Sequence, residues 1–173
     1  MPRRLFKKFA FKRHEVAKQW FMTPFRHMLN DPRLWGVRRR WVVPAFAIGL
    51  FVSFMPFPGH TLMGALAALA LRVNIPVAAV STWVSNPATM LIMYPAAYQV
   101  GRAVLGTPRR DVSFDVSWDW VGGTLVHIWQ PMLLGSVLLG AAAAIVGYVT
   151  LDIVWRLSIA NYKTRKRAGR KKD

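Results

Sequence analysis

The stretch Pro131 to Ile153, "PMLLGSVLLGAAAAIVGYVTLDI", carries no charge before Asp152. A membrane-crossing helix needs about 20 mainly apolar residues, and this run supplies them. Gly135, Gly140, Ala144 and Gly147 recur along it and predict a small-residue face for close helix packing. Trp155 and the tail "NYKTRKRAGRKKD" follow, an aromatic and cationic anchor at a membrane edge. Backbone that crosses lipid must satisfy its polar groups internally, so the expected fold class is all-α, a small polytopic membrane protein.

The charge pattern agrees. The chain has 173 residues with 24 Lys and Arg against seven acids, a net charge of +17. Twelve cations precede Trp41 and eight lie from Arg156 onward, leaving only Arg72, Arg102, Arg109 and Arg110 between. A nucleic-acid-binding domain would interleave charge with core, whereas here charge brackets an apolar middle. An anionic membrane surface is therefore expected as partner, and no nucleic acid. Without cysteine there is no disulfide and no thiolate metal site. Residues 1–40 show no apolar stretch of the kind a signal peptide requires.

Outward from the span, the chain divides into three parts. Residues 1–41 form a basic amphipathic segment. Phe6, Phe9, Val16, Trp20 and Phe21 recur at helical spacing, with Lys7, Lys8, Lys12, Arg13 and Lys18 filling the other face. Such a helix lies in the plane of an anionic leaflet. Residues 42–158 are the membrane domain: a broken hairpin at 42–73, a span with an Asn-Pro break at 76–105, an external segment at 111–120 and a C-terminal span at 131–155. The external segment, "DVSFDVSWDW", alternates polar and apolar and reads as extended. Residues 159–173 read as a basic disordered tail.

Two clusters interrupt the apolar runs. Pro56, Pro58 and Gly59 break the first inside "SFMPFPGH", and Pro87 and Pro95 break the second. Helices starting at His60 and after Pro87 would each aim free N–H groups at a polar site. The order Pro58-Gly-His-Thr61…Arg72 and Pro87-Ala-Thr89…Arg102 hints at an internal repeat. The expected substrate-binding set is Asn86, Thr89, Ser85, His60 and Thr61, with Arg72 and Arg102 as counter-charges. No membrane-embedded carboxylate pair, Ser/His/Asp set or HExxH is present, and Asp111, Asp115 and Asp119 have no His partners at metal spacing, so neither an enzyme, a metal nor a cofactor is expected.

The segment Gly49 to Gly101 resembles the bacterial membrane family known as DUF2062. The residues that carry the resemblance are Pro56, Gly59, Thr61, Arg72, Asn74, Trp83, Asn86, Pro87, Thr89, Tyr98 and Gly101, and Pro131 to Gly140 is similar to the family's C-terminal helix. The resemblance implies a bacterial integral membrane protein and no particular reaction. Basic ends are retained on the cytoplasmic side, so both termini are expected to be cytoplasmic at an inner membrane. The even number of crossings is two if 42–73 is a re-entrant hairpin, or four if its arms span.

Two functions compete at this level. One is a small transporter, channel-like or lipid-headgroup-handling protein with a polar site between paired helix breaks, assembled as a homo-oligomer through the face Gly135 to Gly147. The other is a non-transporting scaffold that recruits anionic lipid or a cytoplasmic protein, such as the glycosyltransferases fused to some relatives the resemblance implies.

Overall fold

The structure, a computed structural model, describes residues 31–108 and 124–169, with side chains over 31–108 and 128–159. Regular structure among these residues is helical throughout: α1 (Arg39–Ser53), α2 (His60–Ala70), α3 (Ile75–Ser81) with a 3-10 turn at Thr82–Val84, α4 (Pro87–Leu105) and α5 (Thr124–Gly169). The lipid-binding set Lys7, Lys8, Lys12, Arg13 and Lys18 lies outside the described residues, as does the external segment 111–120.

Helix α1 is 15 residues long, about 22 Å. That is short of a bilayer's hydrocarbon thickness of about 30 Å. It ends where Pro56 and Pro58 remove backbone donors. Before them, Phe54 N–H closes on the Phe51 carbonyl at 3.2 Å and Met55 N–H on that of Val52 at 3.1 Å. Gly59 then takes φ +86°, a left-handed conformation that costs glycine little, and α2 starts in a new direction.

Helix α2 returns to the level at which α1 began. The N–H of Asn74 donates to the Trp41 carbonyl at 3.2 Å, and that of Ile75 donates to Leu34 at 3.0 Å. Asn74 Nδ2 adds a bond to the Gly36 carbonyl at 3.1 Å, while its Oδ1 caps α3 by accepting from Val77 N–H at 2.9 Å. One asparagine thus joins the preceding loop, the end of the hairpin and the start of α3. Beneath it Leu34, Ala45, Ala68, Leu69, Ile75 and Ala78 form the core of this half. Small residues let the backbones approach closely. A methyl added at Gly49 would sit 2.5 Å from Ser81 Cβ, and one at Gly64 would sit 2.7 Å from Thr82 Cγ2.

The second break differs from the first. Helix α3 and its 3-10 turn meet α4 at a bend of 77°, whereas α2 returns alongside α1. The two proline motifs are therefore not equivalent in structure, and the repeat suggested by their spacing is not reproduced. Pro95 makes no break, because α4 continues through it from Pro87 to Leu105.

Helix α5 organises the molecule. Its N-terminal half packs antiparallel on α4 around a backbone contact. A methyl at Gly101 would lie 2.9 Å from the nitrogen of Gly135, and one at Gly135 would lie 2.9 Å from the nitrogen of Gly101. Ala97, Tyr98, Ile128 and Met132 close the seam. The C-terminal half packs antiparallel on α1. A methyl at Gly140 would lie 3.1 Å from the Phe51 carbonyl oxygen, and one at Gly147 would lie 3.2 Å from Phe46 Cε1. At the far end Asp152 binds Arg39 Nε at 2.8 Å and Arg156 Nε at 2.7 Å.

Two expectations change here. Gly135, Gly140 and Gly147 are filled by α4 and α1, with Ala144 half-buried beside them, so this face is occupied within the subunit and does not await a second copy. The tail expected to be disordered from 159 continues as α5 backbone to Gly169. Helix N–H groups pair four residues back, so an uninterrupted α5 carries the ladder past the apolar window.

Candidate functional site

The two breaks do meet. Thr61 Oγ1 on the first turn of α2 lies 3.3 Å from Thr82 Oγ1 at the end of α3, so the polar residues of both breaks adjoin one region. What those residues do there differs from the sequence expectation.

At the second break the polar groups serve their own backbone. Asn86 Oδ1 accepts from the N–H of Ala88 at 3.0 Å and of Thr89 at 3.1 Å. In return Asn86 N–H donates to Thr89 Oγ1 at 2.8 Å, a complete capping box. Thr89 Oγ1 also donates toward the Val84 carbonyl at 2.7 Å, and Ser85 Oγ donates to the Thr82 carbonyl at 3.2 Å. The free donors expected after Pro87 are thus capped, and the Asn86 amide nitrogen has no partner among the described residues.

The first break is partly open. His60 Nε2 donates to the Met55 carbonyl at 2.6 Å, reaching back across the break. A carbonyl can only accept, which places the ring proton on Nε2. His60 therefore clamps the turn that precedes it. The N-cap of α2 is Gly59, which has no side chain to offer, so no side chain caps the first turn. Phe57, Pro58, Gly59 and Thr61 are exposed around it, and Trp83 is 64% exposed beside the second break.

The two arginines expected as counter-charges are not at this site. Arg72 lies beyond the opposite end of α2, about 16 Å along the chain from Thr61. Arg102 lies near the end of α4, about 20 Å from Thr89, where it adjoins Gly101 at the α5 contact and its Nε is buried without a partner. Helix length fixes both separations: an arginine that closes a helix cannot also stand at the helix's first turn.

Asn74 was legible as a helix start, with Pro76 at the second helical position, but its bond to Gly36 was not. Sequence reasoning missed two further groups. Thr82 and the Arg39–Asp152 ion pair join residues far apart in the chain, and no local signal marks either. No group of three or more metal-ligating side chains occurs among the described residues.

Among the described residues one helix, Ile128–Ile159, is long and apolar enough to cross a membrane, and the bent pair of α3 and α4 meets the same test if it counts as one span. Only 28% of the apolar window of the first is buried inside the fold, against the mostly buried core helix of a soluble protein. Ile145, Val146, Val149, Ile153 and Val154 all face outward. The chain matches, over residues 22–164, the family described as "Uncharacterized protein conserved in bacteria (DUF2062)". It belongs to that family. No curated protein and no solved structure matches it.

Proposed function

We propose that this is an integral protein of the bacterial inner membrane that binds the anionic polar heads of lipids and carries out neither catalysis nor solute passage. In this reading α5 and the bent α3–α4 pair cross the bilayer. Helices α1 and α2 form a re-entrant hairpin, and both chain ends face the cytoplasm.

The capping box at Asn86 and Thr89 is the observation that carries the choice. A solute route at the second break would need those donors and hydroxyls free to replace the solute's hydration. They are instead spent on α4, as the joints of a bent span must be where water cannot satisfy them. The hairpin supports the layout, because α1 is too short to span and α2 ends beside Trp41.

The test is lipid selectivity of the purified protein in nanodiscs, phosphatidylcholine alone against an equal mixture with phosphatidylglycerol. Native mass spectrometry of the released protein should retain phosphatidylglycerol preferentially. Equal retention of both lipids would sink the headgroup reading. So would a folded Asn86→Leu/Thr89→Val variant that loses transport of an identifiable solute.

A further inference from the structure

We propose that the headgroup site is an arginine ring at the end of the fold where α1 begins, centred on Arg72 and completed by Arg38, Arg40 and Trp41, and that its ligand is the phosphodiester of an anionic phospholipid. The proposal rests on the headgroup reading above and names its place.

Four separate stretches of chain bring arginines to this end. Arg38, Arg39 and Arg40 open α1, and Arg33 lies in the turn whose Leu34 carbonyl receives Ile75 N–H. Arg72 stands two residues before Asn74, which is bonded to Trp41. Arg156 arrives through Asp152, which Arg39 also holds. Of the arginines whose side chains are described, all but Arg102 are here.

Among the described residues the acids at this end are already engaged. Asp31 sits beside Arg33, and Asp152 is shared by Arg39 and Arg156. Arg38, Arg40 and Arg72 are exposed and have no acidic partner among the described residues. The guanidinium carbons of Arg38 and Arg40 lie 5.0 and 4.8 Å from the centre of the Trp41 ring. Stacking on the indole holds both forks beside a residue suited to the headgroup level. Guanidinium groups bind phosphate through paired hydrogen bonds, and juxtamembrane cations attract anionic lipid.

The backbone at Arg72 points the same way. Its N–H donates to the Leu69 carbonyl at 3.2 Å and that of Val73 to Ala68 at 2.9 Å, the bonding of a Schellman turn. Arg72 holds the left-handed position of that turn at φ 54°, where glycine is the favoured residue. A long cation at a position that favours glycine weakens the turn and adds a charge to the ring.

That same position makes a clean test. Arg72→Gly removes the charge while suiting the turn, so the variant should melt at the same temperature or higher. Its affinity for phosphatidylglycerol, measured in nanodiscs at low salt with the full chain, should fall about fivefold, the effect of one surface cation. Arg72→Lys, which keeps the charge, should stay near wild type, and Arg38→Gln with Arg40→Gln should lose more than the single glycine variant. Wild-type affinity in Arg72→Gly would overturn the assignment. If wild type itself shows no preference for phosphatidylglycerol over phosphatidylcholine, the headgroup reading fails as a whole. Displacement of bound phosphatidylglycerol by a short DNA duplex, in preference to anionic vesicles, would overturn the lipid as ligand.

Discussion

At Asn86 a single side chain decides between two functions. Its carbonyl oxygen can cap α4 or meet a ligand, and the two N–H groups it accepts commit it to the cap. Replacing Asn86 by Leu and Thr89 by Val should therefore act on stability first. Loss of an N-cap costs about 1 kcal/mol, and the pair shares one reciprocal motif, so the double variant should cost less than the sum of the singles. Thermal unfolding in detergent would check this, and a melting temperature equal to wild type would show the cap to be dispensable. Arg72→Gly is expected to move the other way, by up to about 1 kcal/mol, since the left-handed conformation penalises every side chain but hydrogen. The same scan measures it. The Asn-Pro-x-Thr pattern was plain in the sequence, but its purpose was not. A polar side chain beside a helix start serves equally as cap or as ligand until its hydrogen bonds are known.

At the scale of helices, glycine spacing carried most of the information, and the sequence could not name the partner. Gly135, Gly140 and Gly147 lie on one run that invites close packing, yet each faces a different part of the chain: α4, the end of α1 and the middle of α1. A methyl at Gly101 or Gly135 would meet backbone atoms of the opposing helix, which cannot rotate aside. Gly101→Ala and Gly135→Ala should each therefore lower stability by about 1–3 kcal/mol, read as the midpoint of thermal unfolding in detergent. Gly59→Ala is different in kind. Nothing lies within contact of its Cβ position, and the cost there comes from the left-handed backbone alone. Pro95 and Pro131, both inside unbroken helices, show that proline alone does not mark a break; at one break Pro56 and Pro58 are joined by Gly59, and at the other Pro87 is joined by the capping Asn86.

For the whole molecule the question is where the hairpin ends. In a two-crossing layout Val37 and Arg72 share one face of the membrane and Pro108 lies on the other. All three are exposed, and the chain has no cysteine of its own. Val37→Cys and Arg72→Cys should react with a membrane-impermeant maleimide from the cytoplasmic side only, and Pro108→Cys from the opposite side only. The hairpin tip separates the two layouts: labelling of the exposed Phe57→Cys from the side of Pro108→Cys would establish four crossings, and its protection from that side a re-entrant hairpin. The Arg39–Asp152 bridge ties the start of α1 to the C-terminal end of the apolar window, but both partners reach solvent, so Arg39→Gln should cost no more than about 1 kcal/mol.

Composition and periodicity determined the helical class, the apolar window of α5 and the two points where the chain turns, and the sequence motifs determined the family, because these depend on residues close in sequence. The tertiary structure decided the rest. Whether a break folds the chain back or bends it aside depends on what the next helix packs against: α2 is drawn back by the bonds of Asn74 to Gly36 and Trp41, and α4 is held by Gly135. The same long-range contacts sorted the arginines. Arg72 and Arg102 hold similar places in their sequence motifs, yet they stand at opposite ends of the fold. A helix transmits direction but not destination, and destination is set by the surface it meets.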